Sequence, residues 1–160
     1  MEVEVRTGVL ADFDECMRLA MSASAENAVT PPDALKIAEP IYGILTKQIP
    51  GIIGVIGEVG GKLEGAILLS VGEMWYSRDL IIEERAIFVD PEFRAAKGGR
   101  ARKMAEFAKR VSDEIGLPLC IGVLSNSRTA AKMRLYERVF GEPAGVYFLY
   151  GAKTGMTDET

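Results

Sequence analysis

Residues 51–77, GIIGVIGEVGGKLEGAILLSVGEMWYS, constrain the fold more than any other stretch of the chain. Two runs rich in aliphatic and β-branched residues flank the turn-forming segment VGGKLEG, a pattern that predicts an antiparallel hairpin. Gly54 and Gly57 interrupt the first run and weaken its regularity as a strand. A sheet built on this hairpin must cover both apolar faces, and the flanking sequence supplies helices to do so.

Upstream, Val3 and Val5 alternate with charged residues, which predicts a first strand. Asp12 followed by Glu15 reads as a capping box opening a helix, with Phe13, Cys16, Met17 and Ala20 on its apolar stripe. The segment NAVTPPDALK ends that helix, and a second starts near Pro32, with Leu35, Ile41, Ile44 and Leu45 on its buried side. Downstream, a strand lies within Ile82 to Val89 and ends at Asp90-Pro91, because proline cannot continue the ladder. From Gly99 to Ile115 the apolar positions Ala101, Met104, Ala108, Val111 and Ile115 follow one helical face. Gly116 and Pro118 close it.

LPLCIGVLS then reads as a strand buried on both faces, with Cys120 a small buried hydrophobe. RTAAKMRLYERVF reads as a helix and GVYFLYG as a last strand. The resulting order, β-α-α-β-β-β-α-β-α-β, predicts an α/β (α+β) chain. Its central sheet is mixed and mostly antiparallel, with helices on both faces. One domain over residues 1–152 and a frayed tail over 153–160 complete the expected organisation.

Composition narrows the function. With 160 residues, 48% hydrophobic and 26% charged, the chain is expected to fold rather than remain disordered. Its longest apolar runs, Ile52 to Ile56 and Ala66 to Ser70, are too short to span a bilayer, and the alternating N-terminus does not read as a signal peptide. Cys16 and Cys120 are too few and too far apart for a disulfide framework or a metal set, which points to a reducing, cytoplasmic location. There is no histidine. Histidine triads, histidine-containing zinc sites and a histidine base are therefore excluded, and acid–base chemistry falls to carboxylates, tyrosine, lysine, cysteine or water. A net charge of −4 weighs against a dedicated nucleic-acid binder.

Against that acidic background stands VDPEFRAAKGGRARKM, residues 89–104, where Arg94, Lys97, Arg100, Arg102 and Lys103 surround Gly98-Gly99. A helix beginning at the glycines presents unsatisfied N–H groups and about half a positive charge. Arginine and lysine in its first turn oppose that dipole unless an anion compensates them. No Walker-type loop and no G-x-G-x-x-G is present. A bound phosphate explains the arrangement, and a solvated basic helix face is the plain alternative.

FVDPEFRAAKGG, then an amphipathic helix, a strand and RLYERVFG, together resemble the GNAT superfamily of acetyl-CoA-dependent N-acetyltransferases. The resemblance covers most of the chain, and its distinctive motifs lie between Glu83 and Phe140. It implies acetyl-CoA as the cofactor. The CoA pyrophosphate would lie at the turn formed by Arg94, Lys97, Gly98, Gly99, Arg100 and Ala101, and the pantetheine arm would run beside the main chain of Ile87, Phe88 and Val89. Tyr136 matches the family tyrosine that can protonate the departing thiolate. Glu83 lies six residues before Val89, a spacing that puts both on one strand face, where some members carry a glutamate base; Glu84 is its competitor, pointing the other way.

Two departures accompany the match. The turn is one or two residues longer than the usual [QR]-x-x-G-x-[GA], and the family asparagine is replaced by Thr129, with Asn126 as its substitute. Only one strand, Val146 to Tyr150, follows the last helix. That leaves an open site for a large acceptor, a site completed by a second subunit in a homodimer, or lost catalysis. The implied acceptor is a small-molecule or protein amine, with no nucleic-acid or membrane partner. A non-catalytic CoA-binding or interaction module is the alternative reading.

Overall fold

The computed structural model describes residues 3–94, 98–123 and 129–151, apart from the side chain of Asn27. Its sheet is mixed. Strands β1 (Arg6–Thr7), β2 (Gly51–Ile56), β3 (Gly65–Glu73) and β4 (Leu80–Val89) pair antiparallel in sequence order, and β5 (Leu119–Cys120) joins β4 in parallel. Among the described residues four helices accompany it, α1 (Phe13–Asn27), α2 (Ala34–Leu45), α3 (Arg100–Ile115) and α4 (Thr129–Phe140).

Side-chain alternation along the strands divides the apolar residues between two cores. Ala66 and Leu68 of β3 join Ile53, Val55 and Phe88 beneath Cys16, Leu19 and Ala20 of α1 and Ile41, Ile44 and Leu45 of α2. Ile67 and Leu69 point the other way, with Ile56 and Ile82, to meet Met104, Phe107, Ala108 and Val111 of α3. Helices thus cover both faces, as the sequence predicts. The glycine in β2 has a packing cause: a Cβ at Gly54 would lie 2.6 Å from the Phe107 ring. Among the described residues no helix is long and apolar enough to cross a membrane.

Several local expectations are corrected. The first strand lies at Arg6–Thr7, while Val3 and Val5 pack against the α3-side core. Asp12 does not cap α1 through its side chain. Its carboxylate is fully buried, accepts from Nη1 and Nη2 of Arg6 at 2.9 Å each, and accepts from the Val9 N–H at 2.9 Å. Glu15, the expected second half of a capping box, accepts instead from the Leu63 N–H and pairs with Arg18. The second helix starts at Ala34, after Asp33 accepts from the Lys36 N–H, and Leu35 is 85% exposed rather than buried.

The largest departure is C-terminal. Among its described residues, LPLCIGVLS contributes the two residues of β5, and Cys120 is exposed. GVYFLYG forms no strand, and Tyr147 and Phe148 stand 89% and 93% exposed. Strand propensity reports how well residues suit a pleated surface, not whether a neighbouring edge exists to receive them. The expected tail, 153–160, lies outside the described residues.

The Arg6 pair holds the Asp12 carboxyl below its ordinary value, chiefly through the side-chain hydrogen bond. A depressed carboxyl contributes stability that is present above the unfolded value and lost as pH falls through the folded one. Chemical denaturation across pH should therefore show stability declining below pH about 4. Asp12→Asn should cost about 2–3 kcal/mol at neutral pH and flatten that acid limb.

Candidate functional site

The site is built where β4 hands over to α3. Asp90 ends the strand; its Oδ1 accepts from the Glu92 N–H, opening a 3-10 turn over Pro91–Phe93, and its Oδ2 accepts from Arg18 Nη1 at 2.7 Å. Arg18 also donates from Nη2 to the Leu63 carbonyl and from Nε to Glu15. One guanidinium thus ties α1, the β2–β3 connection and the exit from β4 together. α3 then begins directly after Gly98 (φ 118°) and Gly99 (φ 55°), both in the left-handed region that favours glycine. Gly99 is the N-cap and offers no side-chain acceptor. The first N–H groups of Arg100 and Ala101 therefore stand at an α3 origin that no side chain of the N-cap residue closes. Lys97 and Asn126 lie outside the described residues.

Both described arginines of the turn rest on carboxylates. Arg94 donates from Nε to the Val89 carbonyl and from Nη1 and Nη2 to Glu26 at 3.1 and 2.7 Å. Arg100 donates from Nε to Glu64 at 2.7 Å, and its guanidinium lies 4.7 Å from the centre of the Phe93 ring. Glu26 and Glu64 are neighbours of the turn that the sequence does not reveal. They are 68 and 36 residues from their partners, and nothing in the local pattern marks them.

Beside this turn the β4 edge opens. β5 pairs with β4 only at Ile82 and Glu83, so among the described residues the main chain from Glu84 to Val89 has no strand partner on that side. Ile87, Phe88 and Val89 lie along this edge; Ile87 and Val89 turn their side chains toward the α3-side core, and Phe88 toward the other.

A bulge decides which glutamate faces this region. In the β3–β4 ladder Leu68 opposes Ala86, but Leu69 opposes Glu84, so Arg85 is the extra residue. Directly opposed residues share a face, which places Glu84 with Leu69 and Ile82 on the side of α3. Glu83 opposes Ser70, on the other face, and is exposed. The even spacing from Glu83 to Val89 therefore does not put them on one face; the inserted residue reverses the parity, and Glu84 is the one that shares Val89's side.

Glu84 and Tyr136 meet electrostatically. Burial, then the neighbouring charge of Glu83, pushes the Glu84 carboxyl up to about 7. Burial and then the charge of Glu84 push the Tyr136 hydroxyl well above its ordinary value, so it stays protonated. Tyr136 also meets Phe140 edge-on, with ring centroids 6.0 Å apart. Across the β3–β4 connection, Trp75 and Tyr76 pack edge to face but stand 93% and 67% exposed, so neither belongs to the core.

No protein-family model and no curated protein matches the sequence. Solved structures do match in fold. A possible acetyltransferase from Clostridium difficile 630 superposes with a TM-score of 0.69 at 16% identity, covering 94% of this chain and 97% of that one. AAC(6')-Iy, in complex with the bisubstrate analogue CoA-S-monomethyl-acetylneamine, gives 0.66 at 15%, covering 94% and 97%. A predicted acetyltransferase with acetyl-CoA from Clostridium acetobutylicum gives 0.68 at 8%, covering 93% and 96%.

Carboxyl titration by NMR should find Glu84 with a midpoint near 7, and Glu83→Gln should lower that midpoint by removing a like charge. The raised value means the neutral form favours folding. Stability should therefore fall as pH rises from the ordinary glutamate value toward 7, and Glu84→Gln should abolish that slope.

Proposed function

We propose that this chain, which has the GNAT acyltransferase fold, is an acetyl-CoA-dependent N-acetyltransferase acting on an amine. The observation that carries the reading is the convergence at one strand end. A left-handed Gly98-Gly99 step opens α3, Arg94 holds the Val89 carbonyl at the end of β4, and the β4 edge, without a strand partner from Glu84 to Val89 among the described residues, leads back to Glu84, whose charge acts on Tyr136. These residues fit the cofactor. The α3 amides, Arg94 and Lys97 would hold its diphosphate, and the main chain of Ile87 to Val89 would pair with its amide-bearing arm as a further strand-like partner.

Glu84, rather than Glu83, is the base this geometry supports. The acceptor must lose a proton to attack the thioester carbonyl, and a carboxyl titrating near neutrality can take it. The neutral amine nitrogen bonds to the carbonyl carbon, the C–S bond breaks, the thiolate takes a proton from Tyr136, and the nitrogen sheds its remaining extra proton to solvent as it becomes the amide. Burial keeps Tyr136 raised throughout, but protonating Glu84 removes the second, smaller cause, so the base in its loaded form makes the acid easier to ionise. The proton on Glu84 then returns to the tyrosinate through exchange with solvent, and the site is reset. The nature of the amine follows from none of these groups.

The second reading is a fold retained for CoA binding without turnover. Two measurements separate the readings. Acetyl-CoA and CoA should raise the melting temperature, and ATP should not. Tyr136→Phe should then lower the rate of CoA release with a reactive amine by on the order of 10², leaving acetyl-CoA affinity near wild type. Glu84→Gln should remove the rise in rate through pH about 7. CoA binding with no turnover for any of a panel of amines favours the second reading.

A further inference from the structure

The two arginines at the turn differ in how firmly their carboxylates hold them. Arg100 is 10% exposed in its side chain, bonded to Glu64 and stacked on Phe93, so it is part of the packing. Arg94 and Glu26 are 36% and 40% exposed, and their bond joins two surface elements. An ion pair this accessible is worth little and exchanges readily. Glu26 nevertheless uses the bidentate face of the guanidinium, the geometry a phosphate would also require.

Glu26 is also poorly placed for its own helix. It lies in the last turn of α1, where a carboxylate opposes the negative end of the dipole, and no basic residue of that turn compensates it. Arg94 supplies the counter-charge from across the fold. A stabilising contact for α1 and a ligand contact for the turn thus depend on the same cation.

We infer that Glu26 is an internal competitor for the diphosphate at Arg94, so that cofactor binding exchanges one anion for another and loosens the end of α1. The inference rests on the cofactor reading given above. Its consequence reaches the α1–α2 connection: α1 runs into residues 28–33, and its final backbone bond, from the Ala28 N–H to the Ser24 carbonyl, is the first to be freed. Occupation of the turn is coupled in this way to the mobility of the α1–α2 connection, and by reciprocity a ligand that orders this connection weakens cofactor binding.

Calorimetric titration with CoA, on wild type and Glu26→Gln, tests the competition. The half-exposed substitution should leave the melting temperature nearly unchanged and tighten CoA binding about two- to fivefold. In an Arg94→Gln background the same substitution should give no gain. Hydrogen exchange at the Ala28 amide should accelerate when CoA is added to wild type and change little in Glu26→Gln. If wild type binds CoA and Glu26→Gln binds it equally or more weakly, the competition is refuted while the cofactor reading stands. If wild type does not bind CoA, both fall.

Discussion

β4 has to serve two cores at once, and the structure depends on how it does so. Its C-terminal half sends Ala86 and Phe88 under α1 and α2, while Ile87 and Val89 face α3. Its N-terminal half sends Ile82 to the α3 side, although Ile82, Ala86 and Phe88 are all even-numbered. One extra residue, Arg85, reconciles the halves. A bulge is normally local, but here it chooses which carboxylate turns to the α3 side and becomes half-buried. Glu84 is turned toward α3 and α4, where desolvation carries it to about 7, and Glu83 is left in solvent.

The second organising feature is charge placed where the backbone does not favour it. α3 begins with arginine and lysine against its own dipole, and α1 ends with Glu26 against its own. Arg94, in the turn before α3, answers the conflict at the end of α1, while Arg100, in the first turn of α3, meets Glu64 and Phe93. Arg18 holds the frame around them, since it grips Asp90 at the moment the strand becomes a turn. The packed pairs fix the shape of the turn, and the exposed pair is the one that can change partners.

The hairpin over 51–73, the two cores and the four helices were legible because each is a periodic pattern in neighbouring residues. The glycine pair before α3 was legible for a similar reason: adjacent glycines suit the left-handed step observed at φ 118° and 55°. Asp12 was misread because a capping pattern and a buried ion pair use the same residue type, and Arg6 wins the carboxylate. GVYFLYG was misread because its composition suits a sheet that, among the described residues, extends no ladder to it.

The sequence by itself determined the periodicities, the helix origin at Gly98-Gly99, and the exclusion of histidine chemistry, since these depend on residue type and spacing alone. Tertiary structure decided which of two adjacent glutamates turns inward and is half-buried, which carboxylates hold the arginines, and which strand borders β4. Each of these is settled by a segment far away in the chain. Register against β3 sets the face of Glu84, and helix α1 brings Glu26 to a residue 68 positions distant. Local patterning cannot encode a pairing whose second member is fixed only when the two cores close.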